Sequence, residues 1–210
     1  MKSQINNLAS QRLVWLDALK GIGILLIMVC HAGLLPRVSI FLTAGYVSIF
    51  FVASGFTYKS KQTFSSEIGK RSKRLLLPYF FYVSLSIILM NIFQIKGDFI
   101  HQVLGMIYSR YSLYFGIKDV GDVSLLTQTC NSPTWFLTAL FTSLMVMYII
   151  KSLKWQWVVI TCLGLSVLTL YLPFLLPWSL DTAFVGALFI YLGKKIRGGN
   201  SGYRMVRLGL

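Results

Sequence analysis

Asp, Glu, Lys and Arg are missing from long stretches of this chain. None occurs from Val38 to Tyr58, from Leu75 to Ile95, or from Val123 to Ile150, where the apolar part starts near Pro133. Between Lys154 and Lys194 the only such charge is Asp181. A helix that crosses a bilayer needs about 20 mostly apolar residues, and these stretches reach that length. Pro173 and Pro177 divide the last one, because proline lacks a donor and clashes with the preceding turn. A further apolar run near the N-terminus carries Asp17, Lys20 and His31. The pattern therefore predicts six spans, at 14–35, 38–58, 75–95, 133–152, 155–174 and 178–193. The fold class that follows is all-α, a polytopic transmembrane bundle of about six helices. Residues 96–132 are polar and aromatic. Ile100, Val103, Leu104 and Ile107 in them fall at helical spacing, which predicts a helix either lying at the membrane interface or, the preferred reading, in an extramembrane loop. Residues 198–210 read as an irregular basic tail, and residues 1–197 as one membrane domain.

Composition agrees with lipid as the main solvent. Of 210 residues, 56% are hydrophobic and 12% charged, against about 25% charged in ordinary soluble domains. The net charge of +14 would point to nucleic acid in a soluble protein. Here the basic residues sit between apolar runs, so no nucleic-acid partner is expected. With the N-terminus in the cytoplasm, every Lys and Arg except Arg37, Lys96, Arg110 and Lys118 falls inside, as cytoplasmic loops require. Asp98, Asp119, Asp122 and Asp181 fall outside. The expected location is therefore a membrane with its inner side to the cytoplasm, with the first helix retained rather than cleaved. Cys30, Cys130 and Cys162 match no metal-ligand spacing and are odd in number, so neither a metal nor a disulfide framework is expected.

Ionisable residues within a span are costly and point to function. Lys20 and His31 are eleven residues apart, which puts them on one helical face about 16 Å apart along the axis. Asp17 lies three residues before Lys20, near enough to pair with it. The blander alternatives are a lysine snorkelling to the headgroups and an interfacial histidine. Lys70, Arg71, Lys73 and Arg74 form a second cluster. Arg71 and Arg74 at i, i+3 would project to one side of a helix, where two guanidiniums can grip phosphates. Charge alone favours a loop that sets topology and binds anionic headgroups. Ser54 with Gly55 at the end of the second span opens room for a ligand or for a neighbouring helix. Trp135 opens the fourth span, as an interface anchor by default.

Four motifs in order carry a resemblance: WLDALKGIGILLIMVCH (Trp15–His31), FFVASGF (Phe50–Phe56), RSKRLLLPY (Arg71–Tyr79) and SPTWFLTALF (Ser132–Phe141). Together they resemble the membrane-bound acyltransferase 3 family. The Lys-Gly after Leu19 and the Trp-Phe-Leu of the fourth motif resemble its fucose 4-O-acetylase-like branch, as does DTAFVGALFIYLGKKIR (Asp181–Arg197). The resemblance implies transfer of an acyl group, usually acetyl, from acyl-CoA to a hydroxyl of an envelope or surface carbohydrate. It places the family's basic residue and histidine on Lys20 and His31, and its paired basic residues on Arg71 and Arg74. Many members carry Arg at the first of these positions. Lys there loses the planar fork and keeps a point charge. On this reading His31, Lys20 and Asp17 are catalytic, Arg71 and Arg74 bind the donor, and Ser54 and Trp135 contact substrate. The partners are the lipid bilayer and a carbohydrate acceptor. Members typically carry more helices than the six predicted, which implies a truncated member. Two other readings remain open: a transporter or flippase-like protein, with polar residues in several helices, and an inactive truncated remnant.

Overall fold

The computed structural model describes residues 14–31, 36–59, 63–93, 98–109, 113–115, 123–126, 134–172 and 174–207. The helices are α1 (Val14–His31), α2 (Pro36–Thr57), α3 (Phe64–Arg71), α4 (Leu77–Ile92), α5 (Phe99–Tyr108), α6 (Trp135–Ile150), α7 (Trp155–Leu170) and α8 (Leu180–Arg207). A π-helical turn (Ser72–Leu76) joins α3 to α4, and a 3₁₀ turn (Pro177–Ser179) precedes α8. Two short strands, β1 (Leu113–Phe115) and β2 (Val123–Leu126), pair antiparallel with Phe115 opposite Val123. The described fold is thus all-α apart from one hairpin. A helix lies at each of the six predicted spans. Among the described residues one continuous helix, Phe64–Ile92, is long and apolar enough to cross a membrane by length and composition. The helices at 133–152 and 155–174 shorten to 16 residues each.

Two features differ from the expectations, and a third adds to them. The basic cluster at 70–74 is not in a loop but inside the helical run from Phe64 to Ile92. Pro78 explains the π turn there. It cannot donate to the Arg74 carbonyl, and its ring pushes that carbonyl away. The backbone widens one turn earlier, where Leu77 N–H donates to the Ser72 carbonyl, five residues back. Second, the tail at 198–210 is not irregular throughout, because α8 continues to Arg207. An anchored helix gains a hydrogen bond with each added residue. Gly198, Gly199 and Gly202 cost about 1 kcal/mol each, and there is no proline among residues 198–207 to stop it. Third, α5, the helix expected within residues 96–132, is packed onto the bundle. It folds back along α4, with Asn91 Nδ2 donating to Gln102 Oε1 (3.2 Å) and Tyr79 OH to the Met106 carbonyl (2.7 Å). Asp98 caps its start by accepting from Ile100 N–H at 3.4 Å. Ser109 closes it in the left-handed region, φ 58°.

Because Tyr79 is fully buried, its hydroxyl bond ties α5 to α4 away from water. Tyr79→Phe keeps the ring and removes that bond, leaving the half-buried Met106 carbonyl short of a donor. The expected loss is about 1 kcal/mol, read as a lower midpoint in chemical unfolding of the detergent-solubilised protein. A midpoint equal to the parent's would show that the bond does not hold α5.

The centre of the bundle is α8, which packs along α2, α6 and α7. Small residues allow this. Ala183 and Ala187 are fully buried. A Cβ on Gly55 would run into the Ile190 carbonyl and the Lys194 amide, and one on Gly193 into the Val52 carbonyl. The backbones of α2 and α8 therefore touch, as small residues permit between membrane helices. A Cβ on Gly186 would likewise meet Ser143 and Phe51. Contacts advance together along the two helices, from Phe51 with Gly186 to Phe56 with Arg197, so α2 and α8 run parallel. By contrast, α1 is antiparallel to α2, with Trp15 on Phe56 (ring centroids 5.1 Å) and Gly23 against Phe50.

Candidate functional site

Helix α1 carries three of the sequence candidates. Leu16, Lys20, Gly23 and Ile27 recur at i, i+4, i+7 and i+11, one stripe of a helix. Leu16 and Gly23 are buried on it, whereas Ile22, Leu25 and Met28 are exposed on the other side and Ile24, one turn from Lys20 at the edge of the stripe, is exposed as well. Lys20 is half-buried within the packed stripe, between the Trp15 and Gly23 contacts with α2. Asp17 is also half-buried. His31 closes the helix, and its side chain lies outside the described residues. The helix is continuous from Val14 to His31, so the eleven-residue spacing keeps its helical meaning.

The basic cluster forms the second part of the site. Arg71, the last residue of α3, donates from Nε to Glu67 Oε2 at 2.7 Å. Its guanidinium carbon lies 5.0 Å from the centre of the Tyr58 ring, and Lys194 Nζ lies 5.7 Å from the same centre. Close by, Arg197 Nη1 donates to the Phe56 carbonyl at 2.6 Å, satisfying one of the open carbonyls that end α2. Cations from α3 and α8 thus gather where α2 ends. Arg74 is exposed. The expectation that Arg71 and Arg74 share one side rested on α-helical spacing, and the turn between them is π-helical. A π turn holds more residues than an α turn, so that spacing does not apply. Arg71 turns inward to Glu67 and Arg74 does not.

Ser54 is half-buried in the last turn of α2, where its carbonyl accepts from Thr57 Oγ1 at 3.2 Å. Trp135 opens α6 and packs against the main core. The adjacent Phe136 meets Phe50 and Phe51, at 5.1 and 5.9 Å between ring centres, one turn before Ser54. The structure therefore brings Arg71 and Ser54 toward the same end of α2. It places Lys20 and Trp135 near the level of Phe50, and His31 farther along α1. Counting along α2 from the Tyr58 level to that of Lys20 gives roughly 9 Å. Glu67, Tyr58, Lys194 and Arg197 were missed by sequence reasoning. Glu67 and Arg71 at i, i+4 were a usable signal. Nothing local in the sequence links α3 to Tyr58 or to Lys194. Among the described residues no group of three or more His, Cys, Asp and Glu could hold a metal ion.

Neither curated proteins nor solved structures gave a match to this chain. The family model described as an acyltransferase domain, that of the acyltransferase 3 family, matches residues 13–209. That match takes in α1 with Lys20 and His31, the Glu67–Arg71 pair and the whole of α8. The chain belongs to the acyltransferase 3 family of membrane acyltransferases.

Proposed function

We propose that the chain is an O-acyltransferase of the fucose 4-O-acetylase-like branch. It moves an acyl group, in the simplest case acetyl, from cytoplasmic acyl-CoA to a hydroxyl of an envelope or surface carbohydrate. Arg71 holds the donor's phosphates at the end of α2, and Arg74, exposed on the π turn, adds positive charge for them from outside rather than a second prong of one grip. Lys20, oriented by Asp17, stabilises the negative charge that develops at the thioester carbonyl. His31 takes the proton of the acceptor hydroxyl as its oxygen bonds to the acyl carbon and the carbon–sulfur bond breaks, releasing CoA. Ser54 and Trp135 line the path between the two ends. The observation that carries this reading is that Lys20 lies in the stripe of α1 that packs against α2, at a level offset by about 9 Å along the helix axis from that of the cations gathered on Tyr58. A lysine serving only to reach headgroups would have no reason to face the bundle.

The bundle sits in the inner membrane of a bacterium with its N-terminus in the cytoplasm. Its polarity supports lipid as the surroundings. On α5 the buried residues are Gln102 and Gly105, while Ile100, Leu104 and Ile107 are exposed. In water that helix would be inside out. The parallel course of α2 and α8 also fits a chain that crosses the bilayer three times between them, through α4, α6 and α7.

The test uses the full chain in lipid nanodiscs with radiolabelled acetyl-CoA and a crude envelope glycan. Label is expected in the glycan, with release of free CoA thiol. In sealed vesicles, glycan accumulation with no label transfer would favour the transporter reading. Neither transfer nor accumulation would favour the inactive remnant.

A further inference from the structure

Glu67 is 1% exposed, although it lies one helical turn from a run of four basic residues. A carboxylate taken out of water is costly, and a buried ion pair often stabilises no better than a hydrophobic pair of the same size. Stability alone therefore does not account for it. The geometry suggests another use. Glu67 engages Arg71 through Nε, and among the described residues nothing occupies Nη1 or Nη2. The Arg71 side chain keeps 17% of its surface, so the outer edge of the guanidinium fork has a way out. Beneath it is the Tyr58 ring, buried at 7% exposure, which also holds the Lys194 ammonium. The fork is thus fixed on one side by a carboxylate and on its face by an aromatic ring, with a second cation alongside. One carboxylate stands against Arg71, Lys194 and Arg197, so the cluster keeps a positive surplus. A phosphate matches both that charge and the planar fork.

We propose that Glu67 is a positioning residue for the acyl donor. It aims the Arg71 Nη edge so that Arg71 from α3 and Lys194 from α8 meet on phosphate groups of the CoA moiety. This rests on the acyl-CoA reading given above, and adds Glu67 and Lys194 to it.

The test is a double-mutant cycle on the full chain in nanodiscs, with binding of free coenzyme A measured by calorimetry. Loss of one charge-assisted contact makes Glu67→Gln bind coenzyme A roughly tenfold more weakly. Arg71→Gln is expected to weaken binding at least as much, and to melt lower because it leaves Glu67 buried and unpaired. The double variant should recover the melting temperature yet bind no worse than Arg71→Gln alone. Lys194→Gln should weaken binding without lowering the melting temperature. If the parent protein does not bind coenzyme A, the donor reading itself fails and this proposal falls with it. If the parent binds and Glu67→Gln binds equally well, Glu67 is only a staple between turns and the proposal alone is overturned. It is equally overturned if Glu67→Gln costs the same factor in the Arg71→Gln background. Should Glu67→Gln not fold, Glu67→Asp carries the same test, because it keeps the charge and draws the carboxylate back by one methylene.

Discussion

Gly193→Leu is expected to leave little folded protein, and Gly55→Leu to do the same. Both glycines lie at the crossing of α2 and α8, where each faces backbone rather than side chain. A Cβ on Gly193 would meet the Val52 carbonyl, and one on Gly55 the Ile190 carbonyl and the Lys194 amide. A side chain struck at its tip can rotate away, but a helix backbone moves only as a rigid rod, which would carry the buried Ala183, Ala187 and Ile190 out of their contacts. Overpacking a core typically costs about 1–3 kcal/mol and occasionally more. The upper end or beyond is expected here, because the two helices must separate along their length. Alanine at either site should already be destabilising. Gly69→Ala is the control. Its Cβ would meet nothing within 4 Å, and relief of a helical glycine favours the folded state by up to about 1 kcal/mol. The measurement is the fraction surviving as a monodisperse peak after detergent extraction and graded heating. Parental stability for both Gly55→Ala and Gly193→Ala would mean that the backbones do not touch.

Much of this fold was legible because the chain lies in a solvent that punishes charge. The positions of α1, α2, α4, α6, α7 and α8 follow from stretches that lack charge and from the break at Pro173 and Pro177. The six helices needed no information about neighbours. What was not legible depended on contacts between helices. The cluster Lys70–Arg74 reads as a loop because four cations in five positions look incompatible with a helix in lipid. The structure accommodates them by pairing Arg71 with Glu67 and leaving Arg74 exposed. α5 was recognised as helical from Ile100, Val103, Leu104 and Ile107, but its apolar stripe was no guide to its inner face. Gln102 and Gly105 face the bundle, and only the partners Asn91 and Tyr79 on α4 reveal it. The strands β1 and β2, at three and four residues, are too short for a two-residue period to stand out. Of the candidate residues, the sequence could give the spacing of Lys20 and His31, since both lie on one continuous helix. The contributions of Tyr58 and Lys194 were not, because each is brought to Arg71 by a crossing that no local pattern encodes.

The largest loss of activity is expected at two residues of α1, His31 and Lys20. His31→Ala should lower turnover by about 10²–10⁴-fold, the usual contribution of a positioned general base. Lys20→Ala should lower it by about 10²–10³-fold, the range for removing one group that stabilises a developing oxyanion. The two losses should differ in kind. Lys20 lies between the Trp15 and Gly23 contacts, near the gathered cations, so its replacement should weaken use of acyl-CoA, including slow hydrolysis when no acceptor is present. His31 lies about 16 Å farther along the same helix. Its replacement should leave coenzyme A binding intact and abolish transfer to the glycan. That distance is the demanding element of the scheme. One contiguous site requires the pantetheine arm to enter the bundle beside α1 and carry the thioester past Lys20 toward His31. Donor analogues with shortened arms should therefore bind through their phosphates yet fail to transfer. Lys20→Arg should retain most activity, since it keeps the charge and supplies the fork many family members have there. Full glycan acylation by His31→Ala would remove the general base from the scheme. Equal loss of donor hydrolysis and of transfer in both variants would place Lys20 and His31 at one point along α1, which an unbroken helix from Val14 to His31 does not allow.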